Sequence, residues 1–503
     1  MKAHFLTGAV LAVAIAALAL ARPNPEDPLT RDALSLAFDS GLRNTVIQWD
    51  DDDPRSLEER RRSLFEFVYE TYDASAWIPQ SLFDSNLVTQ AVVGDVDTIV
   101  ANQVGLVRWR DNPRVPAFGM APNAATGREP LKWTVNCLVC HTAEIDGVAY
   151  FGAGTKTFDE LWLGDALKRL TSEPWRGRLR GSPDYATAAE ANRILNSHHH
   201  DKIDSLTRAR STAFAASYVE MYMRSHRSAM PEVAAVGRGD VKTPPLWHTV
   251  AKMPVRRWYT DGSFHGPFPL MASSMELEKD RSFDALMTAV IPRIKAQFDS
   301  VVRHLRAPAY PYDVDLALAA RGRELFYSQE IGCHRCHGTY DGRGNVEWPG
   351  VHRDVGTDPA RLAIITEPFV EAFNRSPLAA EGALAQSRGY AATPLTGVWA
   401  NYPYLHNGSV PTLYHLLGPE SDRPRIFDVR AARRLDRERV GQLLFSDRRD
   451  GALDESELRR RFGNDRNWFN TDRPGSGNRG HDFWSVIRSD ANRRALIEYL
   501  KTI

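Results

Sequence analysis

Two copies of the pattern Cys-x-x-Cys-His carry the most specific chemistry in the 503-residue sequence. Two cysteine thiols one helical turn apart can each bond one vinyl group of a haem, and the histidine that follows presents an imidazole to the iron. The pattern therefore predicts two covalently bound c-type haems, with both histidines as iron ligands. The residues of the two pentapeptides are Cys137, Cys140 and His141, and Cys333, Cys336 and His337.

A disulfide bond, a zinc half-site and a thioredoxin-like redox pair are the alternatives for closely spaced cysteines. Each of them leaves the adjacent histidine unexplained in both copies. The chain has four cysteines, and the two pentapeptides use all of them. No thiol remains for a framework of disulfide bonds or for a cysteine-rich zinc site, so the haem interpretation is favoured.

The bulk composition is that of a soluble globular protein. Hydrophobic residues make up 43% of the chain and charged residues 25%, which are ordinary shares, and the length allows roughly two to four domains. The formal net charge is zero. The sequence therefore lacks the basic surplus of nucleic-acid-binding proteins and predicts no nucleic-acid partner.

The N-terminal residues predict export. Lys2 precedes an apolar run over residues 5–20, and small residues before Arg22 complete the pattern of a secretory signal with cleavage after Ala21. An uncleaved membrane anchor is the alternative, but the run is slightly shorter than the ~20 residues of a spanning helix, and no later segment predicts a membrane span. Because haem is attached to such motifs on the periplasmic side of bacterial membranes, we expect a periplasmic or secreted location.

An internal repeat organises the rest of the chain. Each half carries a pentapeptide, then a Thr-Pro segment with a leucine and a tryptophan, then an Asp/Asn-Gly-Ser turn, in the same order. The expected fold class is mainly α, with two tandem cytochrome c-like haem domains, long loops and an N-terminal elaboration. The expected boundaries are a signal peptide over 1–21, the elaboration over 22–130, the first haem domain over 131–305 and the second over 306–503.

Several helices are expected to position the pentapeptides. The capping-box pattern at residues 56–59 predicts a helix that continues to about Asp73. After the first pentapeptide we expect a polar, glycine-containing loop and then a helix over 158–169. A helix over 320–326 leads directly to the second pentapeptide. The chain closes on a predicted helix over 491–501, whose apolar face is of the kind that packs against the helix before a haem motif.

The second iron has no methionine available from its own half. The last methionine of the chain is Met287, so a second histidine is the default sixth ligand, and it gives a lower reduction potential than a His-Met pair. One candidate ends a glycine-rich loop, and glycines let backbone approach a cofactor closely. The local candidates are His352, His406, His415 and His481.

The first iron is expected to be open on one face. Where the second repeat reads His-Asn-Gly-Ser at residues 406–409, the first reads Thr-Asp-Gly-Ser at 260–263, and no counterpart of the glycine-rich histidine loop follows it. An iron with His141 as its sole protein ligand leaves a position for dioxygen or peroxide. The alternative is closure of this position by one of four side chains, which are His248, His265, Met271 and Met275.

The repeated motifs resemble those of the bacterial di-haem cytochrome c peroxidase superfamily. The similar segments are the two pentapeptides and the run from Thr393 through His406 to Leu413. Residues 242–247 and the Gly-Asn-x-Gly-His-Asp-Phe loop over 477–483 are more similar to the rubber oxygenase-like branch of that superfamily. The resemblance covers about residue 131 to the C-terminus, and this chain is shorter than the characterised rubber oxygenases.

The resemblance implies a reactive N-terminal haem with His141 as proximal ligand and a C-terminal haem held by His337 and His481. It also implies a haem-dependent oxidoreductase, whose partners are dioxygen or hydrogen peroxide and an electron-donor protein or a small apolar substrate. Because peroxidases, protein-modifying oxidases and dioxygenases share the scaffold, it does not fix the substrate. The residues that it puts near the open site, between the haems or beside the second haem are Trp247, Phe264 and His406.

The stretch from Trp247 to Phe264 favours dioxygen chemistry on an apolar substrate. It is rich in aromatic residues, and the acid–base candidates in it and directly after it are His248, Asp261 and His265. A peroxidase needs a polar acid–base group over the iron, whereas a dioxygenase needs a drier pocket. A di-haem peroxidase and a non-catalytic electron-transfer cytochrome with two six-coordinate irons are the alternatives.

Overall fold

The computed structural model describes residues 31–69, 78–79, 81–82, 105–111, 117–122, 132–197, 207–211, 239–269, 287–288, 291–444, 460 and 465–503. The predicted signal segment over 1–21 and the candidate ligands Met271 and Met275 lie outside these residues, so they stay predictions. Within the described ranges, no helix has both the length and the apolar character needed to cross a membrane.

Short helices and very short strands alternate along the described part of the chain. The helices are α1 (Arg31–Leu42), α2 (Leu57–Tyr69), α3 (Glu160–Leu170), α4 (Glu173–Arg176), α5 (Pro183–Ser197), α6 (His248–Lys252), α7 (Ile291–Val302), α8 (Leu316–Tyr327), α9 (His334–His337), α10 (Glu367–Asn374), α11 (Leu413–Leu416), α12 (Trp484–Ile487) and α13 (Asp490–Lys501). The strands are β1 (Thr45–Val46), β2 (Ile78–Pro79), β3 (Met120–Pro122), β4 (Lys132–Val135), β5 (Thr142–Ile145), β6 (Val148–Phe151), β7 (Arg210–Ser211), β8 (Val241–Lys242), β9 (Arg257–Trp258), β10 (Phe264–His265), β11 (Thr339–Tyr340), β12 (Val346–Glu347), β13 (His352–Arg353), β14 (Ala383–Leu384), β15 (Tyr390–Ala391), β16 (Ile426–Asp428), β17 (Leu435–Asp436), β18 (Gly441–Gln442) and β19 (Trp468–Asn470).

The predicted mainly α fold of two tandem cytochrome c-like domains is wrong. Helices make up 41% and strands 15% of the described residues, and the strands form several small sheets. One of these sheets joins the two halves of the chain, because β10 of the N-terminal half pairs with β14 of the C-terminal half, Phe264 opposite Leu384. Elements this short bury little surface alone, so most of them share a large core that extends from Leu34 to Leu500, and a second small cluster forms around Phe427 and Phe469.

The segment after the first pentapeptide is a β-hairpin, where a polar loop was expected. Strands β5 and β6 pair in antiparallel register, with Thr142 opposite Phe151. Asp146 and Gly147 form the two-residue turn, with φ angles of 49° and 83°, as a type I′ hairpin turn requires. The hairpin begins directly after the first pentapeptide. The predicted helix that follows is confirmed as α3.

The predicted packing of the terminal helix against the helix before the second pentapeptide is confirmed. Helices α8 and α13 cross closely, and the rings of Phe326 and Tyr499 lie 5.2 Å apart. Gly322 lies at the crossing point, where a Cβ atom would overlap the backbone carbonyl oxygen of Ala495. The backbones therefore meet at this glycine, and the pair of helices supports the segment that leads to Cys333.

Gly322→Ala is expected to destabilise the protein by about 1–3 kcal/mol, the usual cost of overpacking a close contact. The two backbones must move apart, since the overlapping atom belongs to the main chain of α13. Thermal or urea unfolding of the purified protein measures the change. Gly177→Ala is the matched control, because only the ends of flexible side chains lie near a Cβ atom there. Equal stability of both variants would contradict the close crossing.

Candidate haem-binding sites

The two pentapeptides have the same backbone conformation. In each of them, the amide of the second cysteine donates to the carbonyl of the first at 3.2 Å. The amide of the histidine donates to that same carbonyl, at 2.9 Å in the first copy and 3.0 Å in the second. This single turn presents two thiols and an imidazole from one short segment, which is the arrangement that thioether attachment and iron ligation require.

The alternatives for the cysteines find no support in the structure. No disulfide bond joins any of the four cysteines. No group of three or more potential metal ligands of the His, Cys, Asp and Glu types occurs among the described residues, so a zinc site formed by side chains alone is not seen there. Burial raises the pKa of the Cys333 thiol to about 12, which keeps that thiol protonated.

The imidazole of His337 is oriented by the Thr-Pro segment of the C-terminal half. Its Nδ1 donates to the backbone carbonyl of Thr393 at 2.8 Å. A carbonyl can only accept, so the proton lies on Nδ1 and the Nε2 lone pair is left for a metal, as in other oriented histidine ligands. Burial lowers the pKa of His337, which favours the neutral ring that a metal needs.

His481 faces His337 across a gap that fits an iron atom. The two ring centres are 6.1 Å apart. Two metal–imidazole nitrogen bonds of about 2 Å each, with the distance from each nitrogen to its ring centre, give a separation of about 6 Å. Gly480 holds a φ of 81° and His481 a φ of 51°, and the amide of His481 donates to the carbonyl of Val355 at 2.8 Å. The glycine-rich loop thus brings this imidazole to its position.

None of the other histidine candidates of the C-terminal half makes a described ring contact with His337. His406 is buried and stacks on Tyr390 with ring centres 3.8 Å apart, as expected for a neighbour of the site. Nδ1 of His352 contacts the carbonyl of Gly350 at 3.0 Å. Nδ1 of His415 contacts the Thr412 hydroxyl at 2.7 Å, so among these candidates His481 is the one whose ring meets that of His337.

The first pentapeptide has no such partner in the described part of the chain. His141 makes no ring contact with a second imidazole there. Burial lowers its pKa to about 4, while the backbone carbonyl of Pro244 acts in the opposite direction. No group meets hydrogen-bond geometry at Nδ1 of His141. His141 therefore has the same kind of neighbour as His337, a backbone carbonyl of a Thr-Pro segment, but no described imidazole makes a ring contact with it.

The two described side chains that were candidates to close the first site are turned to backbone carbonyls. Nε2 of His248 contacts the carbonyl of Thr396 at 2.9 Å. His265 is exposed, and its Nε2 contacts the carbonyl of Gly262 at 3.1 Å. Neither of these two histidines makes a described ring contact with His141.

Trp247 lies between the two pentapeptide segments. Its indole Nε1 donates to the carbonyl of Thr396 at 3.0 Å, three residues after the carbonyl that orients His337. On the other side, a Cβ atom at Gly152 would contact the indole, and the amide of Gly152 donates to the carbonyl of His141 at 2.9 Å. Trp247 thus contacts elements next to both pentapeptides, and its predicted place around the open site or on an inter-haem path stays a prediction.

Phe264 is buried in the core that joins the two halves. Its described ring contacts are with Tyr259 at 6.4 Å and Phe373 at 6.2 Å. None of them is with a pentapeptide residue. The structure thus brings Trp247, but not Phe264, next to the segment that holds the first pentapeptide.

Sequence reasoning missed a set of buried and half-buried cations that clamp the halves together. Their side chains come from the N-terminal half and donate to carbonyls of a loop at residues 400–408. Nζ of Lys156 donates to Ala400 and Tyr402, at 2.6 Å each. Lys242 donates to Asn401 and, at 2.8 Å, to Pro403, and Arg210 donates to Asn407 and Gly408 at 2.9 and 2.8 Å. No local pattern predicts such long-range pairs.

Comparison with known proteins connects the C-terminal half to haem proteins. Residues 389–428 match a family described as RoxA-like, cytochrome c-like. The chain is also similar to two proteins of Sinorhizobium fredii that are named as uncharacterized: y4iM, 38% identical over 164 residues (27% of this chain and 36% of that protein), and y4iJ, 26% identical over 301 residues (47% of each). It spans less than half the length of these curated relatives. The matched segment contains the carbonyls that contact His337 and Trp247, and its similarity to a cytochrome c-like family implies a haem cofactor.

Proposed function

We propose that the protein is an exported di-haem c-type cytochrome oxidoreductase. An open haem at His141 activates dioxygen or peroxide, and a bis-histidine haem at His337 and His481 supplies or stores electrons. One observation carries the proposal: the ring of His337 meets that of His481 at 6.1 Å, whereas no described imidazole meets His141. Two identical attachment motifs with different surroundings support two different iron sites.

Each haem, when bound, supplies a redox-active iron, and the protein supplies orientation and environment. The carbonyl of Thr393 fixes the tautomer of His337. The indole of Trp247 fills the space between Gly152 and Gly397, so it provides a packed connection between the two pentapeptide segments. In this proposal, electrons pass between the haems through this connection.

The surroundings of Trp247 favour an apolar substrate and dioxygen over rapid peroxide turnover. Trp258 is buried, so part of the following stretch is dry. Asp261, the one carboxylate there, is bonded to Arg361 at 3.2 Å. His248 uses Nε2 on the carbonyl of Thr396. Asp261 and one ring nitrogen of His248 are thus already engaged, whereas a peroxidase requires a free acid–base group over the iron.

Stopped-flow mixing of the purified protein with hydrogen peroxide and a reduced electron donor tests this choice. We expect slow donor oxidation at most, together with incorporation of labelled oxygen from dioxygen into an apolar, alkene-containing compound. Rapid catalytic oxidation of the donor would make the protein a di-haem peroxidase. If the protein shows neither activity and binds no small ligand at either iron, it is an electron-transfer cytochrome.

A further inference from the structure

A group of cationic side chains surrounds one buried carboxylate at the junction of the two halves. Asp261 and Arg361 are 1% and 5% exposed, and Nε of Arg361 donates to Oδ2 of Asp261 at 3.2 Å. The same carboxylate is the opposing charge for Lys252 and for Arg257. Three cations thus share one anion, and we call Lys252, Arg257, Asp261 and Arg361 the Asp261 cluster.

Within the described part of the chain, the positive charges of the Asp261 cluster outnumber the carboxylates that face them. Lys252 is buried, and burial lowers its pKa to about 8, so it is still protonated at neutral pH. Asp358, which also lies near this region, accepts bonds from the amides of Gly477 and Ala360. A surplus of buried positive charge is costly unless an anion pairs with it.

Among the residues that the structure describes, donor atoms of the cluster also lack acceptors. Arg361 NH1 and Arg257 Nε are buried without a hydrogen-bond partner, and no hydrogen bond from Lys252 Nζ exists within the described ranges. The clamp formed by Lys156, Lys242 and Arg210 differs in this respect, because its cations are held by backbone carbonyls. The clamp is complete in the protein alone, whereas the Asp261 cluster has the charge and the vacant donors to bind an anion.

The cluster adjoins both elements that hold the second pair of histidines. The amide of Ala391, two residues before Thr393, donates to the carbonyl of Thr260 at 2.8 Å. On the other side, Nε2 of His352 lies against Gly262, and β13 leads from His352 to the carbonyl that accepts from His481. A haem between His337 and His481 would have this cluster at its border.

We propose that the Asp261 cluster is a carboxylate-binding site that receives the propionates of the haem held by His337 and His481. This inference rests on the bis-histidine haem of the proposed function. The cations would pair with carboxylates that are otherwise expensive to bury, and Arg361 offers the planar donor fork that suits them. It also gives the Thr-Asp-Gly-Ser turn a role: where the second repeat has Asn407, the first has a carboxylate that anchors Arg361.

The test is a redox titration of Arg361→Gln, after mass spectrometry has shown a haem on each pentapeptide. Removing a positive charge beside the propionates favours the ferric state. We expect at least a tenfold shift of the reduction equilibrium of the low-spin haem, a potential about 59 mV lower for a one-electron couple. Arg361→Lys keeps the positive charge, so the potential of its low-spin haem should lie between those of the wild type and Arg361→Gln. Lys252→Gln should shift it in the same direction, which serves as the second variant if Arg361→Gln does not fold.

Arg375→Gln is the matched control, since Arg375 directly follows α10 at the surface and pairs with Glu371. The potential of the low-spin haem in this variant should equal that of the wild type. An unchanged potential in folded Arg361→Gln and Lys252→Gln would overturn the proposal. Added acetate tests whether the cluster binds a free carboxylate instead of the propionates. If the propionates fill the site, acetate should leave the wild-type potential unchanged. A change of the potential with acetate would show an exchangeable anion site instead. These readouts concern the second haem. If small ligands fail to bind at the first haem, the proposed open site is wrong, but the result for the Asp261 cluster is unaffected.

Discussion

Replacement of His481 by alanine is expected to convert the haem at the second pentapeptide from low-spin to high-spin, while the first haem keeps its spectrum. His481 is the imidazole whose ring lies opposite that of His337, and its loss leaves the iron without a strong sixth ligand. Electron paramagnetic resonance and the visible spectrum of the oxidised protein measure the change. The potential of this haem should also rise.

His406→Ala is the matched control for that experiment. His406 is buried and stacks on Tyr390, so its removal also leaves a cavity, but it does not face His337. The haem should stay low-spin in this variant. A high-spin haem in His406→Ala, together with a low-spin haem in His481→Ala, would show that the sixth ligand has been assigned to the wrong loop.

Trp247→Leu is expected to slow electron transfer between the haems at least about tenfold, the change that 1.4 kcal/mol in a barrier produces. The indole fills the space between the two pentapeptide segments and bonds to Thr396, and leucine supplies neither the aromatic ring nor the N–H donor. Flash photolysis of the carbon monoxide adduct in the half-reduced protein gives this rate directly. Both haem spectra should stay as in the wild type.

Trp399→Leu separates this effect from general loosening of the core. Trp399 is fully buried and its Nε1 donates to the carbonyl of Pro308 at 2.9 Å, so the same volume and the same type of bond are lost. Its rate should remain near that of the wild type. Equal slowing in both variants would assign the effect to packing instead of to the position of Trp247.

The parts of the site that could be predicted from sequence are those with local chemistry. The spacing of Cys333, Cys336 and His337 is fixed by the haem that it would bind, and the loop that ends at His481 is marked by its glycines. The terminal helix could be predicted because its apolar face repeats at helical spacing. Each of these signals lies within a few residues of chain.

The rest depends on pairs that are far apart in sequence. Lys156 reaches Ala400 and Arg361 reaches Asp261, and neither end of such a pair predicts the other. The mainly α expectation failed for the same reason, because two-residue strands such as β10 and β14 have no periodicity of their own. The β5–β6 hairpin is different: its alternating residues around Asp146-Gly147 are a strong local signal, which the interpretation as a polar loop overlooked.

Titration of the fully reduced protein with carbon monoxide distinguishes an open iron from a closed one. We expect one carbon monoxide bound for every two haems, with a Soret shift from the haem at His141 and none from the haem at His337 and His481. His481→Ala should then bind a second equivalent. Binding at neither haem of the wild-type protein, or at both, would contradict the assignment of one open and one closed iron.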